Sequence, residues 1–190
     1  SFAHNQTNGY RTQSRLRRDN FSWISKLKIT DKQQITVSVL FTDMYYQTPG
    51  ALTLTEFNIN PKAARPAAGI LPSAVEAAIE QTNFLAGFTH FYKMSNTISN
   101  HTTFYGSFSE IKNPAIRNYE RRLEPGFGGR TVFVYEKKKE NISWQLTGGS
   151  EFQQGFFNTV VFKNLKGKPD SLQTNDDIIY FVNSYFIQGE

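Results

Sequence analysis

The sequence contains no cysteine, only three histidines and two methionines, and no apolar run approaching the length of a membrane-spanning helix. Without thiols there is no disulfide framework, no thiolate zinc or iron–sulfur site and no cysteine nucleophile. A helical span needs about 18 to 20 consecutive apolar residues, and the mean hydropathy is −0.48. A helical membrane protein is therefore excluded. A membrane β-barrel is not, because half of each barrel strand faces a polar lumen. Charge is scarce as well, with Asp, Glu, Lys and Arg at 19% of 190 residues. The start, Ser1-Phe2-Ala3-His4, has neither the charged n-region nor the apolar h-region of a signal peptide, so a cytosolic protein or a mature or internal piece is expected.

Aromatics are abundant at 15%, and 57 positions are Ser, Thr, Asn or Gln, which makes the chain polar without being charged. The net charge of +5 collects in two local clusters, Arg15, Arg17 and Arg18, and Lys137 to Lys139, separated by long neutral stretches. That distribution argues against a nucleic-acid partner, which calls for a continuous basic surface.

Aromatic and β-branched residues recur at period two between clusters of turn-forming residues, the signature of strands. Seven strands are expected, at about 15–29, 34–47, 83–93, 97–110, 129–136, 142–163 and 178–190. Setting 29 opposite 35 puts Phe21, Trp23, Leu27, Ile35, Val37, Val39 and Phe41 on one face, with Ser22, Lys26, Lys28, Thr36 and Ser38 on the other. Setting 93 opposite 97 likewise gathers Phe84, Phe88, Tyr92, Phe104 and Phe108 against Thr89, Lys93, Ser99, His101, Thr103 and Ser107. The sixth strand continues the pattern with Trp144 and Leu146.

Short links (30–34, 94–96, 137–141) alternate with long ones (48–82, 111–128, 164–177), so one rim is expected to be trimmed and the other elaborated, as in outer-membrane barrels. One helix is expected in the longest link, where Ser73 and Glu76 make a capping box before Ala77-Ala78-Ile79-Glu80. The fold class is thus all-β, an antiparallel up-and-down meander forming part of a transmembrane barrel wall, with one short helix in a long loop.

Candidate chemistry is thin. His90 and His101 sit on neighbouring strands but on opposite faces, which leaves no metal site, and no Gly-x-Ser-x-Gly elbow, phosphate loop or HExxH is present. No enzyme activity and no cofactor are expected. The densest cluster of guanidinium and phenol groups is Asn113 to Arg122, read as part of the 111–128 loop. Arg117, Tyr119, Arg121 and Arg122, with Arg65 of the 48–82 loop, suit an anionic, oxygen-rich ligand through forked hydrogen bonds and cation–π contact. The other reading of the same residues is a loop-ordering network in which Glu110, Glu120 and Glu124 neutralise the arginines.

The stretches Pro49-Gly50-Ala51-Leu52-Thr53, Phe84-Leu85-Ala86-Gly87-Phe88, Lys112 through Arg122, Gly128-Gly129-Arg130-Thr131-Val132-Phe133 and Glu151-Phe152-Gln153-Gln154-Gly155-Phe156 resemble those of TonB-dependent outer-membrane receptors, of the siderophore-receptor type found in Bacteroidetes-like bacteria. The resemblance covers most of residues 10–190. It implies a 22-stranded barrel closed by a plug domain that contacts TonB, with residues 1–190 as one barrel segment, about a third of the wall, and with plug and TonB box outside it. It further implies uptake of a ferric siderophore or similar nutrient in the bacterial outer membrane. Trp23, Phe41, Phe84, Phe88, Tyr92, Phe104, Phe108 and Trp144 would then face lipid, and the segment taken alone would self-associate through its open strand edges. From a different class, the length also fits a soluble calycin-like barrel that encloses an apolar ligand; there the aromatics face inward.

Overall fold

In the structure, a computed structural model, residues 1–67, 73–74, 76–139 and 142–190 are described. Among the described residues nine strands and one helix follow in chain order: β1 (Phe2–Thr7), β2 (Leu16–Thr30), β3 (Gln33–Gln47), α1 (Leu54–Ile59), β4 (Ala78–Lys93), β5 (Ile98–Pro114), β6 (Asn118–Leu123), β7 (Gly126–Lys139), β8 (Ile142–Leu165) and β9 (Lys168–Gly189). All pair antiparallel in a single sheet.

Two strands separate at Pro125 for a local reason. β6 and β7 follow one register against β5, from Leu123 opposite Glu110 to Gly126 opposite Ser107, and Glu124 and Ser109 exchange backbone bonds of 2.8 and 3.3 Å in between. On the other flank the Phe156 N–H donates to the Pro125 carbonyl at 2.9 Å. Proline has no N–H to give the ladder, so the strand is interrupted there although its path is not. The sheet is thus an up-and-down meander of eight ribbons.

The alternation expected from sequence holds although both hairpins slip by two residues. Leu27, not Ile29, lies opposite Ile35, because Asp31-Lys32 forms a tighter turn with a bulge between Lys28 and Thr30. Lys93 lies opposite Ser99, because Ser95 Oγ accepts from the Thr97 and Ile98 N–H groups (3.2 and 3.0 Å) and closes a four-residue link. A slip of two preserves every face, since side chains repeat with period two. Phe2, Phe21, Phe41, Phe84 and Phe108 are successive cross-strand neighbours, and Trp23, Val39, Ala86, Phe88 and Phe104 continue that face. Tyr92 and Trp144 share its parity. The reverse face carries Lys26, Thr36, Thr89, Thr103, Arg130 and Glu151 in line.

A single layer of this kind has almost no interior. Among the described residues only Ala74, Ala77, Ala78 and Ile111 are buried hydrophobics, while the aromatic face stays open along its length. β1 and β9 are not paired with each other among the described residues. The calycin reading is overturned on both counts, since a calycin closes its sheet and encloses its aromatics.

Three further expectations are corrected. The segments 111–128 and 164–177 are not long loops. The first is the tight β5–β6 hairpin and its strands, and the second is a two-residue turn at Lys166-Gly167 followed by β9. Both were missed because Asn118–Leu123 and Lys168–Asp177 are polar on both faces, so no apolar period marks them; pairing with long neighbours makes them strands. The helix lies in the long link but not where expected. The capping box that forms is Thr53 with Glu56, the Glu56 N–H donating to Thr53 Oγ1 at 3.3 Å and the Thr53 N–H to Glu56 Oε2 at 2.7 Å. At the other box Glu76 takes a φ of 67°, and Ala78 is already opposite Gln47 in the ladder. Sheet pairing overrides the local helix preference there, while Pro72 and Val75 lie outside the described residues.

Candidate functional site

The rim opposite the 31–32 and 94–97 turns carries the links 8–15, 48–77, 115–117 and 166–167, so the elaboration expected of three loops is concentrated in one 30-residue link. Three arrangements of polar side chains meet along this rim.

The first is a charged band on the aromatic face, immediately above the phenylalanine row. The next row toward the rim runs His4, Asp19, Asp43, Thr82, Glu110, and the row beyond runs Arg17, Tyr45, Glu80, Lys112, Arg121. The first row is mainly acidic and the second mainly basic, so ion pairs form both across and along the strands. Arg17 bonds Asp43 and lies 3.8 Å from Asp19, His4 Nδ1 is 2.5 Å from Asp19 Oδ1, and Arg121 places Nη2 3.0 Å and Nε 3.1 Å from Glu110 Oε1. Lys112 Nζ stands 4.0 Å from both Glu80 and Glu110. Arg15, Arg17, Asp43, Glu80, Glu110 and Lys112 line an open hollow of about 500 Å³. Part-exposed pairs contribute about 0 to 1 kcal/mol each, so the band fixes side chains more than it stabilises the sheet. The Tyr119 phenol, in the stretch above the row, has its pKa raised by burial and by the Glu80 carboxylate, and Arg121 only partly offsets this. It is a neutral hydrogen-bonding group at ordinary pH.

The second arrangement is on the reverse face of β6. Arg122 lies between Glu120 (3.4 Å) and Glu124 (3.8 Å), with its guanidinium 6.0 Å from the Phe157 ring centre. Glu120 also accepts from Thr159 Oγ1 at 3.4 Å.

The third is a cap over the rim. Arg11 donates from Nη1 to the Gly50 carbonyl at 2.8 Å, and from Nε and Nη2 to the Ala63 carbonyl at 3.1 and 2.8 Å. The Thr12 N–H reaches the Lys62 carbonyl at 2.7 Å, and the Arg65 N–H reaches Pro49 at 2.8 Å. Gly50, at φ +69°, admits this crossing, since a Cβ there would stand 2.9 Å from Arg65 Cβ. The Arg11 guanidinium, the Thr12 N–H and the Gln13 side-chain amide, which donates to the Ala77 carbonyl at 3.1 Å, tie the 8–15 and 48–77 links together. Replacing Arg11 by Met should leave the strands paired and free the cap, read as trypsin cleavage after Lys62 at least several-fold faster than in the parent. Unchanged cleavage would assign the order of the cap to the backbone bonds and the Gln13 amide.

The structure divides the five expected ligand-binding residues. Arg65 lies in the cap, and Arg117 in the β5–β6 turn, where its carbonyl accepts from the Asn164 N–H at 2.9 Å. Tyr119 and Arg121 project on the aromatic face and Arg122 on the reverse, as alternation along β6 requires. Arg121 and Arg122 are engaged by Glu110, Glu120 and Glu124, the network weighed against ligand binding from sequence. The Arg117 guanidinium has no ion pair or hydrogen bond among the described residues. Sequence reasoning missed Arg11, Asp19, Asp43, Glu80 and Lys112. The alternation Arg15-x-Arg17-x-Asp19 is a legible trace of the band, but the partners come from cross-strand register. No three His, Asp or Glu groups among the described residues are placed to hold a metal ion.

No protein-family model and no curated protein matches the chain. Among solved structures, the fold is similar to that of the ferric citrate transporter FecA in its unliganded form, with a TM-score of 0.75 and 11% identity over 97% of this chain and 28% of the transporter. The chain therefore spans little more than a quarter of that protein's length, and at this identity the likeness is one of fold. The meander has the architecture of the transporter's barrel wall.

Proposed function

We propose that this chain is a segment of the barrel wall of a TonB-dependent outer-membrane receptor that takes up a ferric siderophore or a similar nutrient. The observation that carries the reading is the match of 97% of the chain to a transporter's fold, joined to an aromatic face of the right extent. From Phe84 to Tyr92 that face runs nine residues of β4, within the range of about 9 to 11 residues with which a tilted barrel strand crosses a bilayer. Lipid then covers Trp23, Phe41, Phe84, Phe88, Tyr92, Phe104, Phe108 and Trp144, and the reverse face lines the lumen. The capped rim is the extracellular one, because barrels of this kind keep short turns on the periplasmic side. TonB acts through a plug domain coded elsewhere in the protein. The segment supplies wall and vestibule and does no covalent chemistry.

Of the five candidate ligand residues, Arg117 leads, since its charge is uncommitted while Arg121 and Arg122 are held by carboxylates. In the full-length receptor Arg117→Ala should lower ferric-siderophore uptake at limiting ligand about three- to tenfold without changing the amount of assembled barrel. Arg121→Ala should shift stability by no more than about 1 kcal/mol. Uptake that is unchanged in Arg117→Ala places capture in other loops. Fractionation of the full-length product tests the reading as a whole: a protein recovered in the soluble fraction, or uptake that persists when TonB is deleted, overturns it.

A further inference from the structure

We propose that the cleft between the 8–15 link and α1 is a binding site for a small aromatic molecule bearing an anionic group. Tyr10, Leu52, Leu54, Phe57 and Pro61 line an open cleft of about 540 Å³ at the edge of the cap, within the size range of small-molecule sites. Its apolar groups are displayed rather than hidden: Tyr10 is 67% exposed, Leu54 76% and Phe57 53%, with Ile59 beside them at 80%. They stand on the capped rim, separated from the aromatic belt by the charged band, so contact with the hydrocarbon of a membrane does not account for them. Clustered apolar exposure in water carries a free-energy cost that an occupant removes.

The cleft is held in shape before any ligand arrives. Arg11, part of its wall, spends its donors on the Gly50 and Ala63 carbonyls, and the Thr53–Glu56 capping box fixes the start of α1. The charge at its mouth favours an anion. The Glu56 carboxylate is engaged by Thr53, accepting from its N–H at 2.7 Å and from its Oγ1 at 2.9 Å. The Lys62 ammonium has no carboxylate partner among the described residues and stands 5.4 Å from the centre of the Tyr10 ring. Two aromatic walls with a cation beside one of them match a ring that stacks and an acidic substituent that pairs with the ammonium. The site shares no residue with the five candidates above and does not depend on transport.

The test is photolabelling of the full-length protein in lipid nanodiscs with 4-benzoylbenzoate, using neutral benzophenone as the control, and mapping of the labelled peptides. The carboxylate probe should label peptides containing Tyr10 and residues 52–61. Phe57→Ser should lower that labelling at least fivefold for both probes. Lys62→Glu should lower it at least threefold for the carboxylate probe and leave neutral benzophenone unchanged. Resistance of the cap to chymotrypsin after Tyr10 and Leu54, compared with the parent, shows that each variant keeps its fold. Labelling confined to the belt strands, or labelling that neither substitution alters, overturns the proposal, while uptake of ferric siderophore is scored separately and bears only on the transport reading.

Discussion

Arginine at position 39 should destabilise the membrane-inserted sheet by roughly 2–4 kcal/mol, the cost of a cation on the lipid face near the bilayer midplane, whereas arginine at position 38 should cost less than about 1 kcal/mol. Val39 lies opposite Trp23 and Ala86, between Val37 and Phe41 on the same side of β3, and so within the aromatic belt. Ser38, one residue away, lies opposite Ile24 and Gly87 on the reverse face. The two variants add the same charge to the same strand at nearly the same depth, so their difference reports only which face meets lipid. Folding titrations in urea with lipid vesicles, read by the mobility of folded and unfolded forms on a gel, give both values. Equal costs, or a larger cost at position 38, would reverse the assignment of lipid and lumen faces and with it the outer-membrane reading.

That test is sharp because the faces were legible in the sequence while much else was not. Alternation of Phe21, Trp23, Val37, Val39 and Phe41 against Ser22, Lys26, Thr36 and Ser38 survives a two-residue slip of register, since an even slip leaves each side chain where it was. An odd slip would have inverted the sheet. The belt strands were therefore readable wherever one face is apolar and the other polar. β1, β6 and the first half of β9 were not. Apart from Phe2, which stands in the phenylalanine row, residues 4–7, 118–123 and 168–177 lie at or above the charged band, where both faces meet water. There the neighbouring strand, and not the residue's own preference, decides the conformation.

The same distinction explains what happened to the candidate site. Arg117, Tyr119, Arg121 and Arg122 look convergent on a loop and diverge on a strand, because alternation sends 119 and 121 one way and 122 the other. Their carboxylate partners were legible as a possibility, since Glu110, Glu120 and Glu124 lie close in sequence. The charged band was not, because Asp43 and Glu80 reach Arg17 and Lys112 only through pairing of β3 with β2 and β4 with β5. The cap was further out of reach. Arg11 acts on carbonyls 39 and 52 residues away in the chain, and no spacing rule connects them.

The glycines of the reverse face set the second large effect. Gly128, Gly149 and Gly155 each lie where an aromatic side chain from a neighbouring strand passes over the backbone. A Cβ on Gly128 would stand 2.5 Å from the Tyr105 hydroxyl, and one on Gly155 would stand 2.1 Å from the Tyr180 ring. At Gly149 the obstacle is different in kind. A Cβ there would come within 2.3 Å of the Thr131 carbonyl oxygen and 2.8 Å of the Phe186 ring, which itself stacks against the Arg130 guanidinium at 4.9 Å. A ring can turn about its side-chain bonds. A carbonyl in the ladder between β7 and β8 moves only with the strand, which pairs on from Gly126–Gly155 to Lys139–Ile142. Gly149→Val should therefore cost roughly 3 kcal/mol or more, at or beyond the upper end for overpacked sites. Gly148→Val is the matched control, because the nearest atom to a Cβ at Gly148 is the Phe186 carbonyl at 3.6 Å, an ordinary contact, and that variant should stay within about 1 kcal/mol of the parent. Both are read from the same urea titrations in vesicles. If Gly149→Val unfolds at the same urea concentration as Gly148→Val, β7 and β8 can part at Thr131 without loss of pairing, and the reverse face is not locked by its glycines.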